Sequence, residues 1–159
     1  YVAATALDFE RSGIHRMAGA ISPYYRLLEN AKQANSGGSG RKISDHNSSR
    51  QALAETRIEI EVARYLGYRV TWMQASNLVP NQESSMSKMF GSELQQRTAR
   101  RGISMLGLYG GLRPTDSHAP LNGEFCQYYM TTVSLTIAAG TSEIQRNIIA
   151  TRGLGLPRG

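Results

Sequence analysis

Cysteine is almost absent from this sequence, whose 159 residues contain one cysteine, Cys126, and three histidines. One cysteine cannot form a disulfide within the chain, so a disulfide-stabilised secreted fold is excluded. One cysteine with three scattered histidines also cannot assemble a Cys/His zinc site. We therefore expect no metal centre, and a reducing, cytoplasmic location fits this composition best.

Long apolar runs are missing as well. No stretch approaches the roughly 18 consecutive apolar residues that a membrane-spanning helix needs, and no charged segment followed by an apolar segment opens the chain as a secretion signal would. With 40% apolar residues, the chain has the size and composition of one globular domain. Because it begins with Tyr1 and a helical pattern follows within a few residues, we expect a piece of a longer polypeptide.

Acidic residues are outnumbered, since 18 basic and 12 acidic side chains give a net charge of +6. A basic chain favours polyanionic partners, which include nucleic acids and phosphate-rich cofactors such as coenzyme A or a flavin dinucleotide. Charge alone does not choose between them. Arg97, Arg100 and Arg101 could contact nucleic acid, but no recognition-helix or stacking-aromatic pattern accompanies them, so a solvated basic face is the commoner interpretation.

Apolar residues recur at helical spacing, whereas no segment alternates with period two for long enough to form a strand. We predict helices at 7–30, 45–77, 83–106, 123–137 and 142–152. A Ser/Gly loop at 35–40 and a loop at 107–120 separate them, and Pro23 should bend the first helix or mark a joint in it. The second helix is apolar on two sides and is expected at the centre. The predicted fold class is all-α, a four-helix up-and-down bundle with a short additional C-terminal helix.

Glu10 lies on the apolar face of the first predicted helix, in line with Ile14 and Met17. Burial disfavours a charged carboxylate and raises its pKa, which suits a general base working near neutral pH. Glu10 is therefore the first catalytic candidate, and the alternative is an ion pair with Arg11 or with a neighbouring helix. Asp8 and Arg11 share a flank of the helix, where they could grip a polar substrate tail or form an exposed ion pair.

The segment 140–146 opens the last predicted helix. Ser142 and Gln145 have the spacing of a capping box. Gly140 allows close approach, and the free N–H groups of a helix N-terminus attract anions. The segment is therefore either an anion or cofactor site or an ordinary helix cap. The glycine-rich stretch 107–111 is a weak phosphate-loop candidate, because no strand precedes it and no lysine follows.

The end of the chain carries the most specific motif, TIAAGTSEIQRNIIA at 136–150 followed by RGLGLPR at 152–158. This motif closely resembles the end of the acyl-CoA dehydrogenase family. The resemblance continues upstream, in the same order, through LDFER at 7–11, LAE at 53–55 and ESSMSK at 83–88, so it covers essentially the whole chain. The resemblance implies the family's C-terminal helical domain, without its N-terminal helical and middle β-domains. It also implies a flavoenzyme in which a glutamate removes the α-proton of an acyl-CoA thioester while the β-hydride passes to N5 of FAD.

The resemblance also implies roles for single residues. Many members carry the base immediately before the Gly-Thr pair, where this chain has Ala139. In isovaleryl-CoA and long-chain acyl-CoA dehydrogenases the base lies on the first helix, in a segment that matches 7–11, so Glu10 inherits the role. Asp8 and Arg11 would contact coenzyme A, and Gly140 would lie beside the thioester. The positions expected at FAD are Thr141, Ser142, Glu143, Ser104, Gly107, Leu108, His46, Asn47 and Arg41.

Some of these flavin positions depart from the family pattern. The stretch 104–108 matches a loop that touches the adenine-dinucleotide part of FAD on a neighbouring subunit, but Ser104 replaces the family's common Gln. The family's Arg-x-x-Phe-Gly element falls on 36–40, which lacks both Arg and Phe. Arg41 could substitute for the lost cation.

The partners that the resemblance implies are an acyl-CoA substrate, an electron-transfer flavoprotein and further subunits in a homo- or hetero-oligomer, with a tetramer expected for the full-length enzyme. The sequences at 9–11 and 154–158 are similar to those of actinobacterial members that degrade steroid side chains. Some of these members combine a catalytic subunit with a subunit that lacks the base. The alternatives are a non-catalytic assembly subunit in which Glu10 is merely ion-paired, an oxidase relative, and a basic nucleic-acid binder.

Overall fold

A computed structural model describes residues 14–36 and 40–157, with side chains from residue 18 onward. The described part is helical and contains no strand, which confirms the all-α prediction. Its α-helices are α1 (Ile14–Gln33), α2 (Asn47–Ala75), α3 (Gln82–Leu106), α4 (Glu124–Leu135) and α5 (Ser142–Ile148). A π-helical turn, Ile149–Gly153, continues α5, and short 3-10 turns occupy Ile43–Asp45, Gly107–Gly111 and Pro120–Gly123. The helices predicted within this part agree with the structure to within a few residues.

The central helix is α3, which packs against α1, α2, α4 and α5. Its buried side is made mostly of small or polar residues, including Ser84, Ser92, Ala99 and Gly102. Small side chains let neighbouring helices approach closely, so this helix can be surrounded although its sequence is not very apolar. The prediction that the segment 45–77 lies at the centre was therefore wrong.

Helix α2 buries only one of its two apolar sides. The inward side includes Leu53, Ile60 and Val70, which are at most 6% exposed. Residues of the other side remain largely accessible, with Ile58 64% and Trp72 60% exposed. The apolar residues on two sides of this helix therefore did not mean that both sides are buried, because a surface helix can carry a second apolar stripe.

Helix α1 runs without interruption through Pro23, which is buried. A proline in a helix interior removes an N–H donor and leaves the carbonyl four residues earlier without its partner. That carbonyl belongs to Gly19, and the hydroxyl of Tyr128 on α4 donates to it at 3.0 Å. A side chain from another helix therefore replaces the lost backbone hydrogen bond, and Pro23 marks no joint between two helices.

The hydrophobic core lies between α3 and the helices around it. Leu27, Ile60, Leu94 and Phe125 are each at most 2% exposed, and they come from α1, α2, α3 and α4 respectively. Phe125 lies directly on Gly102, where an added Cβ would come within 2.1 Å of the ring. Glycine at this position sets how closely α4 approaches α3. Among the described helices, none combines the length and the apolar character that crossing a membrane requires.

Candidate functional site

Three predicted site residues, Asp8, Glu10 and Arg11, lie outside the described residues, so their roles stay predictions. The other predicted positions fall into two groups at opposite ends of α3. One group surrounds the turn before α5, next to the N-terminal half of α3. The other surrounds the C-terminal end of α3.

The first group is built on a left-handed turn. Ala139 has φ +56° and Gly140 has φ +93°, a region that side chains with a Cβ rarely adopt. The Ser142 amide closes the turn by donating to the Thr136 carbonyl at 3.1 Å. Glycine tolerates this conformation without strain, but Ala139 does not. The turn therefore depends on contacts that hold it in place.

Thr141, rather than Ser142, is the N-cap residue of α5. Its backbone is extended, and its hydroxyl oxygen accepts a hydrogen bond from the Ile144 amide at 3.3 Å. The predicted capping box of Ser142 and Gln145 was therefore wrong, because the left-handed turn starts the helix one residue earlier. Ser142 is the first helical residue and is buried.

Gln145 instead folds back onto the turn. Its side-chain amide nitrogen donates to the carbonyls of Ala139 and Gly140, at 3.1 and 3.3 Å. The Gln145 amide oxygen and the Ser142 hydroxyl are buried, and neither has a hydrogen-bond partner among the described residues. Buried polar atoms without partners are uncommon in folded proteins, and they fit a site that a further chemical group completes.

Lys88 of α3 lies beneath the same turn. Its side chain is fully buried, and its ammonium donates to the Gly140 carbonyl at 2.6 Å. From the sequence, Lys88 was part of the ESSMSK motif and was not predicted as a site residue. A helical wheel could have found it, because Lys88 continues the buried stripe of Ser84 and Ser92 at four-residue spacing.

Glu143 and Arg146 are the charged residues on the outer side of α5. Hydrogen bonds from the Glu143 backbone N–H and from the Thr141 hydroxyl lower the pKa of the exposed Glu143 carboxyl, and the nearby positive charges of Arg146 and Lys88 lower it further. Arg146 also reaches Glu93 of α3 at 2.7 Å. Glu143 is thus a carboxylate at neutral pH, and α5 is tied to α3 by an ion pair.

Two residues of the second group, Gly107 and Leu108, line an open cleft of about 610 Å³ at the far end of α3. Gly107 and Leu108 form one wall, and the loop residues Asn35 and Ser36 form another. Leu108 is 97% exposed, so its apolar side chain projects into solvent.

Arg41, His46, Asn47 and Ser104 lie around this cleft without lining it. Arg41 lies on a loop closed by an antiparallel bridge between Asn35 and Lys42, and its guanidinium donates to the Asp45 carbonyl at 3.2 Å. His46 precedes α2, and its buried Nε2 has no hydrogen-bond partner among the described residues.

Asn47 is the exposed first residue of α2. Ser104 lines a small neighbouring pocket together with Arg101. Lys88 and Ser104 are 16 residues apart on α3, which places the two groups about 24 Å from each other at 1.5 Å per residue.

Of the three basic residues considered for nucleic-acid contact, Arg100 is exposed, whereas Arg97 and Arg101 pair with acidic residues. Arg101 pairs with Glu55 and Glu59 of α2, each at 2.9 Å, and Arg97 pairs with Glu59 at 3.1 Å. These contacts form an ion-pair network between α2 and α3 instead of a basic binding face. Within residues 14–36 and 40–157, no group of three or more His, Cys, Asp or Glu could hold a metal ion.

Comparison with known proteins places this chain among its relatives. The family profile described as acyl-CoA dehydrogenase, C-terminal domain, matches residues 1–154. Acyl-CoA dehydrogenase FadE26 of Mycobacterium tuberculosis is 28% identical over 143 residues, which are 88% of this chain and 35% of that protein. Acyl-CoA dehydrogenase FadE29 of the same organism is 30% identical over 122 residues, or 77% of this chain and 31% of that protein. The chain thus spans about a third of the length of these curated relatives.

Solved structures agree with this placement. The Tcur3481-Tcur3483 steroid ACAD superposes with a TM-score of 0.83 at 26% identity, over 96% of this chain and 38% of that chain. The ChsE4-ChsE5 complex from Mycobacterium tuberculosis superposes with a TM-score of 0.79 at 28% identity, over 90% of this chain and 37% of that chain. Because the family profile covers almost the entire sequence, the protein belongs to the acyl-CoA dehydrogenase family.

Proposed function

We propose that this chain is the C-terminal helical domain of a longer, FAD-dependent acyl-CoA dehydrogenase and that it supplies the catalytic base. The observation that carries the proposal is the family match over residues 1–154. The left-handed turn at Ala139 and Gly140 supports it, because its strained backbone is held by side chains from two helices. Strained turns held in this way are typical of functional sites.

Glu10 is the proposed general base. The position immediately before Gly140 is occupied by Ala139, whose methyl group cannot accept a proton, so the base has to come from elsewhere in the chain. Glu10 would take the α-proton of the thioester, and Asp8 and Arg11 would hold the coenzyme A portion. Gly140 would lie beside the thioester, where the lack of a side chain leaves room for close approach.

FAD, when bound, would accept the β-hydride. Thr141, Ser142 and Glu143 would contact the flavin, and the buried Ser142 hydroxyl is one atom that fits this assignment, because it has no hydrogen-bond partner among the described residues. The second group, Ser104, Gly107, Leu108, Arg41, His46 and Asn47, would contact the adenine-dinucleotide part of FAD on a neighbouring subunit.

This assignment requires an oligomer, and a tetramer is proposed. An electron-transfer flavoprotein would take the electrons onward, and the reducing cytoplasm suits a chain with a lone cysteine. Because a structural relative is described as a steroid ACAD, the proposed substrates include steroid-derived as well as fatty acyl-CoA thioesters.

The test is anaerobic flavin bleaching by a panel of fatty and steroid acyl-CoA thioesters, using the full-length protein loaded with FAD. Wild type should bleach with at least one thioester, and Glu10→Gln at equal FAD content should bleach at least about a hundredfold more slowly, because a general base contributes roughly 10²–10⁴-fold. Glu29→Gln, on the exposed side of α1, is the matched control and should behave as wild type.

Equal bleaching by wild type and Glu10→Gln would show that the base lies elsewhere. Failure of both to bleach would favour the second candidate, a non-catalytic partner subunit. That candidate has its own support, since one structural relative is a complex of two differently named chains, ChsE4 and ChsE5. Co-purification with a second acyl-CoA dehydrogenase chain would then be expected.

A further inference from the structure

The fully buried Lys88 needs an explanation beyond helix packing. Lysine is almost never fully buried unless it is paired, because transfer of an ammonium out of water is costly. Its ammonium donates to the Gly140 carbonyl across a sequence separation of 52 residues, at 2.6 Å. An isolated packing position would be filled at lower cost by an apolar side chain. The bond to the Gly140 carbonyl is a contribution of Lys88 that an apolar side chain could not make.

That bond fixes the direction of the next amide. The carbonyl of Gly140 and the N–H of Thr141 belong to the same planar peptide unit and point in opposite directions. With the carbonyl held toward α3, the Thr141 N–H is directed away from α3. Within residues 14–36 and 40–157, this N–H donates to no backbone carbonyl. The Thr141 N–H can therefore donate a hydrogen bond to a bound ligand.

Gln145 holds the same turn from the other side, through its bonds to the carbonyls of Ala139 and Gly140. The side chains of Gln145 and Lys88, which both donate to carbonyls of this turn, differ in what they contribute. Gln145 provides a neutral amide within α5, whereas Lys88 provides a hydrogen bond from a different helix and a positive charge. Of these two side chains, Lys88 is the one that links the turn to the central helix of the bundle.

We propose that Lys88 is a positioning residue for the flavin, acting through the Gly140 carbonyl to aim the Thr141 amide and the first residues of α5 at the cofactor. This inference rests on the proposed function, because it takes the turn before α5 as the flavin-facing surface. Lys88 itself is shielded from the cofactor by the turn. Its loss should therefore weaken FAD binding and slow turnover.

The test uses the full-length protein with Lys88→Met, which keeps a similar length without the charge or the donor, and Lys88→Gln, which keeps an amide donor. Lys32→Met is the control, since Lys32 is exposed on α1 and pairs with Glu29. The FAD dissociation constant is measured on stripped protein by quenching of FAD fluorescence. The values of kcat and KM are measured on reloaded protein, and thermal unfolding is followed without FAD.

A hydrogen bond from a charged donor is worth roughly 1.5–3 kcal/mol, so Lys88→Met should raise the FAD dissociation constant by at least about tenfold. The same variant should lower kcat by a similar factor. Lys88→Gln should be intermediate, and Lys32→Met should match wild type.

An unchanged FAD dissociation constant in Lys88→Met would overturn the inference, even if the melting temperature falls, and would make Lys88 a purely structural residue. Failure of both Lys88 variants to fold would overturn it in the same way. If wild type binds FAD in a Lys88-dependent manner but no thioester bleaches it, the positioning role stands and the proposed reaction fails. If wild type turns over and Lys88→Met binds FAD normally, only this inference fails.

Discussion

The hydrogen bond between Tyr128 and Gly19 shows how one side chain can replace a backbone hydrogen bond that a proline removes. Pro23 deprives the Gly19 carbonyl of its helical donor, and the Tyr128 hydroxyl supplies another. Burial raises the pKa of Tyr128 well above its usual range, and the negative charge of Glu124 raises it further. The phenol is therefore kept neutral, as a hydrogen-bond donor must be.

Tyr128→Phe should lower the free energy of unfolding by about 1–2 kcal/mol near neutral pH, because it leaves a half-buried carbonyl without a donor. Above pH 10 the unfolded chain loses the tyrosine proton while the folded chain keeps it, so the stabilisation by Tyr128 is present below about pH 10 and declines as the pH rises further. The difference between the two proteins should thus be smaller at about pH 10.5 than at about pH 8.

Urea unfolding at both pH values measures this difference. Tyr129→Phe is the matched control, because Tyr129 is the exposed neighbour on the same helix, and it should remain close to wild type. A constant difference between wild type and Tyr128→Phe at the two pH values would contradict the assignment.

At the scale of elements, an ion-pair network joins three helices. Glu59 of α2 accepts hydrogen bonds from both Arg97 and Arg101 of α3. Glu93 of α3 accepts one from Arg146 and forms an ion pair with Arg97 at 3.7 Å. The side chains of Glu59 and Arg101 are only 23% and 20% exposed. Pairs at this depth are less screened by water than surface pairs, so they contribute to how α2, α3 and α5 are fixed relative to one another.

Glu59→Gln should destabilise the full-length protein by about 1–2 kcal/mol, because two guanidinium groups lose a shared charged acceptor. Glu61→Gln is the matched control on the same helix, since Glu61 pairs only within α2, with Arg57 and Arg64, among the contacts that the described residues show. Such pairs within one helix contribute about 0.5 kcal/mol or less. Chemical denaturation compares the two, and equal losses would show that the network adds nothing beyond local pairing.

At the scale of the molecule, the exposed apolar side of α2 departs from an ordinary protein surface. Ile58, Tyr65 and Trp72 follow each other at seven-residue spacing and are 64%, 65% and 60% exposed. Seven residues bring a helix back to nearly the same direction, so these side chains form one stripe. Contiguous apolar surface of this kind marks an interaction surface or a cause of self-association.

The 159-residue chain on its own should therefore self-associate, with a sedimentation coefficient that rises between about 1 and 100 µM. The double variant Ile58→Glu and Tyr65→Glu should reduce this rise, because it places two charges on the stripe. Val133→Glu is the control, since Val133 is an exposed apolar residue on a different helix, α4. A chain that stays monomeric throughout the range would contradict the expectation.

The sequence by itself determined the all-α class, the positions of the helices in the described part and membership of the acyl-CoA dehydrogenase family, which the family profile confirms. These properties depend on local periodicity, on breakers such as the Ser/Gly loop and on the order of short motifs, all of which can be read along one chain. The roles of Glu10, Asp8 and Arg11 still rest on the sequence alone.

Only the tertiary structure decided which helix is central, that Thr141 caps α5 and that Lys88 clamps Gly140. Which helix is central depends on how closely the other helices can approach it. The small residues of α3 allow a close approach, although the sequence of α3 is not strongly apolar. The cap depends on left-handed backbone angles at Ala139 and Gly140, which are stabilised by residues distant in sequence. The physical reason is the same in each case, because contacts between helices, and not periodicity within one helix, set the outcome.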